Sequence, residues 1–478
     1  MQRTSRSVTW ILSIIVSACG GSGGDGSTDD GDHSEGPGGA ATDPCDQLAP
    51  DPSPSANLAS IQDCLDRHGS AHLQPGTYPI DGTLTLPSDA VLAGLDATRP
   101  LIQRVAGAPG NTLLAFNGDR ARATGLDLDG NSVFPGGCCD SIVGVNGNDN
   151  TLEHSRVFNN QMPPPGIHSV GIYIICPDCT GNLVEDVEIF NSFYGVIFRP
   201  GRPPDGVQPN TVDRASIHDI KCDSVTFVGH GVLTGSDIHD NGWDCENGPI
   251  PGGGIYTLHN DQGAVIHGNS VHDNCGNGLD LVESSNFDIA DNHVYDPGNQ
   301  FGGAFPYCGG IAVAFFTMSH STLRNNLIEN NNRPWNTVTA PAWIDWFRPA
   351  GGAPWSDLPG GAATVLGFLL VRDPGSPYDA IGNSIEGNQM RASCSGDCVG
   401  VGYFVSRGTG LVGGDWSAAT TNYFTGNDPF GSNVGSRRCG GNWYAANSIC
   451  DAGAGTPCNT DDYQHTATEL RNDPCRDY

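Results

Sequence analysis

Residues 264–296 read AVIHGNSVHDNCGNGLDLVESSNFDIADNHVYD, and within them Val271-His272-Asp273 returns as Val294-Tyr295-Asp296 after an intervening Gly278-Leu279-Asp280-Leu281. Each triplet sets a β-branched residue before an outward residue and ends on an acid suited to a sharp corner, which is a short-strand pattern. Working outward, the same first strand recurs as Leu126-Asp127-Leu128, Val157-Phe158-Asn159, Ile189-Phe190-Asn191, Ile217-His218-Asp219, Ile238-His239-Asp240 and Ile328-Glu329-Asn330. A second strand recurs as Gly171-Ile172-Tyr173-Ile174, Gly195-Val196-Ile197-Phe198, Gly254-Ile255-Tyr256-Thr257 and Gly310-Ile311-Ala312-Val313. The steps from Ile217 to Ile238, Val271 and Val294 are 21, 33 and 23 residues. The short steps fit one coil of a β-solenoid and the long one a coil with an insertion. Inward β-branched residues then stack on the next coil while the residues between them face outward.

Ahead of the repeat, residues 57–68 show the apolar spacing of a short amphipathic helix, with Leu58, Ile61 and Leu65 on one face and Asn57 as its N-cap. Leu73-Gln74-Pro75-Gly76-Thr77-Tyr78, Leu84-Thr85-Leu86 and Val91-Leu92-Ala93-Gly94 follow as strands separated by turns. This opening resembles that of pectate-lyase-like β-helix proteins. The resemblance implies an all-β, single-stranded right-handed parallel β-helix, with residues 57–78 as N-terminal cap, coils over 79–430, and a Cys-rich C-terminal cap over 431–478 holding Cys439, Cys450, Cys458 and Cys475.

The first residues carry Arg3 and Arg6, an apolar run from Val8 to Val16, and Val16-Ser17-Ala18-Cys19. That order is expected of an export signal over residues 1–18. Small residues before a cysteine resemble the bacterial lipoprotein signal, which implies lipidation at Cys19 and a membrane-anchored protein of the cell envelope or surface. Residues 19–56 then form a tether, its Gly/Ser/Asp composition unable to bury a core. Setting Cys19 aside leaves 16 of the 17 cysteines, an even number that points to disulfides in an exported chain. Cys176-Pro177-Asp178-Cys179 has redox or zinc spacing but lacks a second pair to complete a zinc site. A net charge of -31 argues against nucleic acid as a partner and leaves calcium open as a cofactor. A monomer is expected.

Aligned by coil, the insertions 132–141, 161–170, 242–253, 297–309, 332–362 and 389–398 mostly follow the Asn/Asp corner, so they should stand side by side as the wall of a cleft. Cys138, Cys139, Cys222, Cys245, Cys275, Cys308, Cys394 and Cys398 lie in or beside them. The longest insertion holds Trp335, Trp343, Trp346 and Trp355, rings suited either to stacking on sugars or to packing together as a small core.

Outward positions supply the candidate chemistry. His218, His239 and His272 form a column at ~4.8 Å spacing, continued by Tyr295, able to transfer protons or to occupy the positions that Phe158 and Phe190 fill in earlier coils. Asp219, Asp240, Asp273 and Asp296 form a second column, read as acids and bases, as a calcium site at Asp219, Asp240 and Asp273, or as corner residues bonding the turn backbone. On the neighbouring strand Tyr256 is a substrate-binding candidate, with His259, Asp261 and Glu283 just beyond. Asp280 interrupts a column otherwise read as Tyr173, Ile197 and Ala312. Lys221 is a candidate base.

Gly229-His230-Gly231 resembles one element of polygalacturonases, but Val212 interrupts the Asn210-Thr211-Asp213 match and no Asp-Asp pair precedes His230. Tyr295-Asp296-Pro297-Gly298 approaches the Tyr-Asp-Pro-His element of mannuronan epimerases without its histidine. Neither family's catalytic roles carry over. The expected function is binding or cleavage of a polysaccharide by lyase or hydrolase chemistry, with His218, His239, His272, Asp240, Asp273 and Asp280 as catalytic candidates. The rival is a noncatalytic adhesion platform.

Overall fold

The structure, a computed structural model, describes residues 43–428 except 96, 134–139, 161–168, 243–251, 298–310, 332–362, 372–378, 393–397 and 406–421, together with short strands between 434 and 461. Residues 1–42 fall in a separate unit outside the described residues, so Cys19 and the export signal lie there.

Among the described residues nearly every strand belongs to one of three parallel sheets of 13, 11 and 12 strands, and over most of each sheet a strand pairs with the third one after it. One coil therefore contributes one strand to each sheet in turn. The register Ile217↔Ile238, Val271↔Val294 and Val294↔Ile328 in the second sheet places the β-branched residues of the repeat in one inward column, each essentially without solvent exposure. Burying one such side chain is worth about 2 kcal/mol. The stacking makes that gain available only to consecutive coils.

Asparagines tie the corners together. Asn269, Asn292, Asn326, Asn388 and Asn427 enter the second sheet in successive coils, and each backbone or side-chain amide donates to the next Asn side-chain oxygen at 2.9–3.1 Å. Their Nδ2 groups also donate to buried carbonyls such as Ile266 O and Ile289 O. Otherwise unpaired backbone groups at each bend are thereby satisfied inside the solenoid.

The helix starts earlier than the apolar spacing indicates, at Pro54, and runs to His68. Proline is tolerated in the first turn, where its missing N–H has no intrahelical partner to lose. Asn57 is thus inside the helix and buried, accepting from Asp51 N and donating to Asp51 O and Pro79 O. Gly69, with φ 69°, ends the helix in the left-handed conformation that glycine adopts at least cost. The first coil begins directly after it at Ser70–Leu73. Cys45–Cys64 fastens the preceding segment to the helix, and Cys176–Cys179 is a disulfide. Of the C-terminal cap only short strands are described; its cysteines lie outside the described residues.

Candidate active site on the third sheet

The second-sheet column forms as the spacing predicts and extends over six rings. Phe158, Phe190, His218, His239, His272 and Tyr295 stack nearly parallel, with centroid separations of 4.8, 5.4, 5.2, 5.2 and 4.6 Å. Neighbouring rings occupy each other's faces and leave edges outward. Each histidine Nδ1 pairs with the carboxylate that follows it, at 2.8 Å to Asp219, 2.8 Å to Asp240 and 2.9 Å to Asp273. Nε2 of His218 meets Glu188 and Nε2 of His272 meets Asp237, each in the coil before. Asp219, Asp240, Asp273 and Asp296 all have φ between 43° and 58°, a left-handed bend that Asp and Asn tolerate better than most residues. The corner requirement thus accounts for the acidic column. The carboxylates of Asp219, Asp240 and Asp273 turn to their own imidazoles and do not gather around one point, and Asp296 accepts from Asn331 N; the only such group among the described residues is Asp43, Cys45 and His68, whose cysteine is in a disulfide.

The insertions leave from the corner between the second and third sheets. Strands such as Asp237–His239 and Ile255–Leu258, or Leu327–Asn330 and Ala363–Val371, bracket them in the chain. The insertion residues themselves, including Trp335, Trp343, Trp346 and Trp355, lie outside the described residues. Cys222 and Cys275 beside that corner are in disulfides.

Across the corner, the outer face of the third sheet gathers a different set. Thr226, Tyr256 and Asp280 occupy one column in three consecutive coils, and the next residue in register is Ala314. The sequence alignment to Ala312 is thus two residues out. Both positions have the same parity, so the contrast between Asp280 and a small apolar neighbour survives.

At the foot of these strands Asp223, Gly253 and Asn277 occupy corresponding positions. Asp223 is buried, and its Oδ1 accepts the Gly253 N–H at 2.9 Å. Gly253 sits where the coils approach closely: a Cβ there would lie 3.1 Å from Asn277 O and 3.7 Å from the Asp280 Cβ. Asn277 also accepts from Ile311 N at 2.8 Å.

Burial sets the electrostatics. Desolvation raises the Asp223 carboxyl to about 6 against the Gly253 hydrogen bond, which favours its ionised form. Desolvation, followed by the Asp223 charge, raises Asp280 to about 7, while a hydrogen bond from Asn277 opposes the rise. Asp280 Oδ1 is buried without a hydrogen-bond partner among the described residues. Desolvation, then Asp223 and Asp280, hold the Tyr256 phenol well above its usual range. The Thr226 hydroxyl, on a residue only 8% exposed, also has no partner among the described residues. Beyond Tyr256, His259 Nδ1 pairs with Glu283 at 2.7 Å, both residues in left-handed backbone. Two carboxyls that titrate near neutrality beside a protonated phenol can donate and accept protons on one substrate.

Of the sequence candidates, Asp280 and Tyr256 meet here, whereas His218, His239, His272, Asp240 and Asp273 form the separate column on the second sheet. Asp223, Thr226 and Gly253 were not among the candidates. The signal for Asp223 was available only by aligning the corner residues coil by coil with Gly253 and Asn277. Lys221 stands on the approach to this strand and donates its backbone N–H to Ser192 O. His230 is buried, its Nδ1 donating to Gly263 O at 3.0 Å, and burial pushes its imidazole below the usual range. It serves a turn.

Residues 141–341 match the sequence model of the right handed beta helix region. The fold is a right-handed parallel β-helix. Among solved structures, this β-helix resembles the mannuronan C-5 epimerase AlgE6 A-module of Azotobacter vinelandii, at 15% identity over 82% of this chain and 94% of that one, with a TM-score of 0.56. It also resembles the Dettilon tailspike protein gp208, at 14% identity over 84% and 70% of the two chains, with a TM-score of 0.50. At these identities the likeness is one of fold. No curated protein matches the sequence.

Proposed function

We propose that this β-helix is an exported cell-surface protein that binds and processes a polysaccharide on the outer face of its third sheet, beside the corner that carries the insertions. The observation that carries the reading is that Asp223 and Asp280 both border Gly253, in the coil that carries Tyr256, with both carboxyls displaced toward neutrality. Keeping such groups poorly solvated costs stability, and that cost has a use where a substrate must exchange protons. A linear polymer suits a face repeated along a solenoid. The mannuronan C-5 epimerase of the same fold supports that class of substrate.

The test is a panel of neutral and uronate polysaccharides, with and without calcium, read by ultraviolet absorbance for unsaturated ends and by a reducing-end assay. New ends on one substrate class support the proposal. Silence on every substrate, with no binding, favours a noncatalytic platform. Lipidation at Cys19 belongs to the same proposal. It predicts incorporation of labelled palmitate that Cys19→Ser abolishes.

A further inference from the structure

Two pairs of metal-binding residue types meet at the C-terminal end of the helix Pro54–His68. Asp43-Pro44-Cys45 supplies a carboxylate and a sulfur two residues apart, and Cys64-Leu65-Asp66-Arg67-His68 supplies a sulfur and an imidazole one helical turn apart. Residues four apart share a helix face, and Cys64 is joined on that face to Cys45 by a disulfide. Ligand atoms of Asp43, Cys45 and His68 lie within 4.8 Å of one another. Asp43 Oδ1 accepts the Cys45 N–H at 2.9 Å, which leaves Oδ2 facing His68 Nδ1 at 3.3 Å. Around a tetrahedral zinc ion, bonds of ~2.0–2.3 Å place neighbouring ligand atoms ~3.3–3.7 Å apart. The nitrogen and oxygen therefore already stand at that separation, and the two sulfurs reach it once the bond between them opens.

Backbone contacts hold the two pairs together without that bond. His72 donates its N–H to Cys45 O at 2.8 Å, and Leu48 donates to His72 O at 2.9 Å, so the segment stays on the first strand of the solenoid. The sulfurs are buried, Cys45 at 1% and Cys64 at 6%, whereas the His68 and Asp43 side chains are 38% and 39% exposed and open the cluster to solvent. Two thiolates, an imidazole and one carboxylate suit zinc, while calcium takes six or more oxygens. The helix also ends at His68, and its C-terminal dipole favours a cation there.

We propose that Asp43, Cys45, Cys64 and His68 form a zinc site of the reduced protein, and that the zinc ion and the disulfide are alternative closures of one clasp. Zinc binding by the reduced pair releases two thiol protons to solvent. Oxidation by a small disulfide forms the Cys45–Cys64 bond, cleaves the donor's S–S bond to two thiolates, and frees the zinc ion. Either closure fastens the segment ahead of the helix to the cap of the solenoid. The site is independent of the chemistry on the third sheet.

The experiment keeps the full chain reduced with a phosphine, adds zinc, alkylates the thiols and follows labelling at each cysteine by peptide mass spectrometry. Zinc should slow labelling of Cys45 and Cys64 together, by about tenfold or more. His68→Ala and Asp43→Ala retain every cysteine, and each should raise the zinc concentration for half-protection at least about tenfold, with circular dichroism unchanged. Oxidised glutathione should then release the zinc to a chromophoric indicator as the Cys45–Cys64 bond forms. Labelling of the two cysteines that ignores zinc, or protection unchanged in folded His68→Ala, overturns the site, since other thiols would then be holding the metal. Should reduction collapse the sheets, Cys45→His decides: it leaves the other disulfides closed and should bind zinc without reductant, and a folded Cys45→His chain that binds none overturns the proposal.

Discussion

Replacing Asp280 by Asn should make the protein more stable at pH 8 while removing its chemistry. In the fold the Asp280 carboxyl titrates near about 7 rather than 3.8, because burial and the Asp223 charge disfavour its ionised form. A raised carboxyl means that the folded state binds its proton more tightly than the unfolded chain. Its contribution to stability is therefore complete below about pH 4 and is lost as pH rises through about 7. At about 1.4 kcal/mol per tenfold change in proton affinity, the interval from 3.8 to about 7 corresponds to a loss of about 4 kcal/mol. Partial exposure of the residue makes about 2 kcal/mol the realistic size. Asn keeps the shape and cannot ionise. The assay compares urea midpoints and melting temperatures of wild type and Asp280→Asn from pH 4 to 8. The difference should be near zero at pH 4, grow in favour of the variant, and level off above pH 7. A difference independent of pH, or a variant less stable at pH 8, refutes the argument that Asp280 is held in a poorly solvated setting.

Three further outcomes follow from the same geometry. Turnover should depend on pH as a bell, rising as the pair loses its first proton near about 6 and falling as it loses the second near about 7; a flat profile from pH 5 to 8 contradicts it. Asn292→Ala removes the acceptor of Asn269 and the donor to Ile266 O inside the corner ladder, and should cost about 2–4 kcal/mol in urea unfolding. Asn292→Ser should cost less, since Ser236 and Ser155 fill that place in earlier coils. His239→Phe extends the phenylalanine part of the stack and should fold with stability within about 1 kcal/mol. A loss of turnover above about 100-fold in that folded variant would return the histidine column to the chemistry.

The legible part of this fold was its period. Ile217, Ile238, Val271 and Val294 announce an inward column because a coil cannot bury them alone, and the outward ring column followed from the same register. The corner that carries the insertions was legible too, since additions are tolerated where the backbone already turns. The site was half legible. Asp280 stood out as a charge between apolar neighbours, although its partner in the next coil is Ala314 because the insertion ahead of that strand hides the register. Asp223 and Gly253 were legible only through a coil-by-coil alignment of the corners, as their roles arise from the contact of successive coils. The acidic residues after each histidine drew attention through repetition alone, and their φ values explain them as bends.

The most direct test of the account compares turnover and binding of wild type and Asp280→Asn on the glycan that the polysaccharide panel identifies. The account predicts a fall in kcat of about 10³-fold with the dissociation constant for that glycan changed by no more than a few-fold. An Asp280→Asn protein that turns over the same glycan at the wild-type rate would contradict the placement of the chemistry on the third sheet.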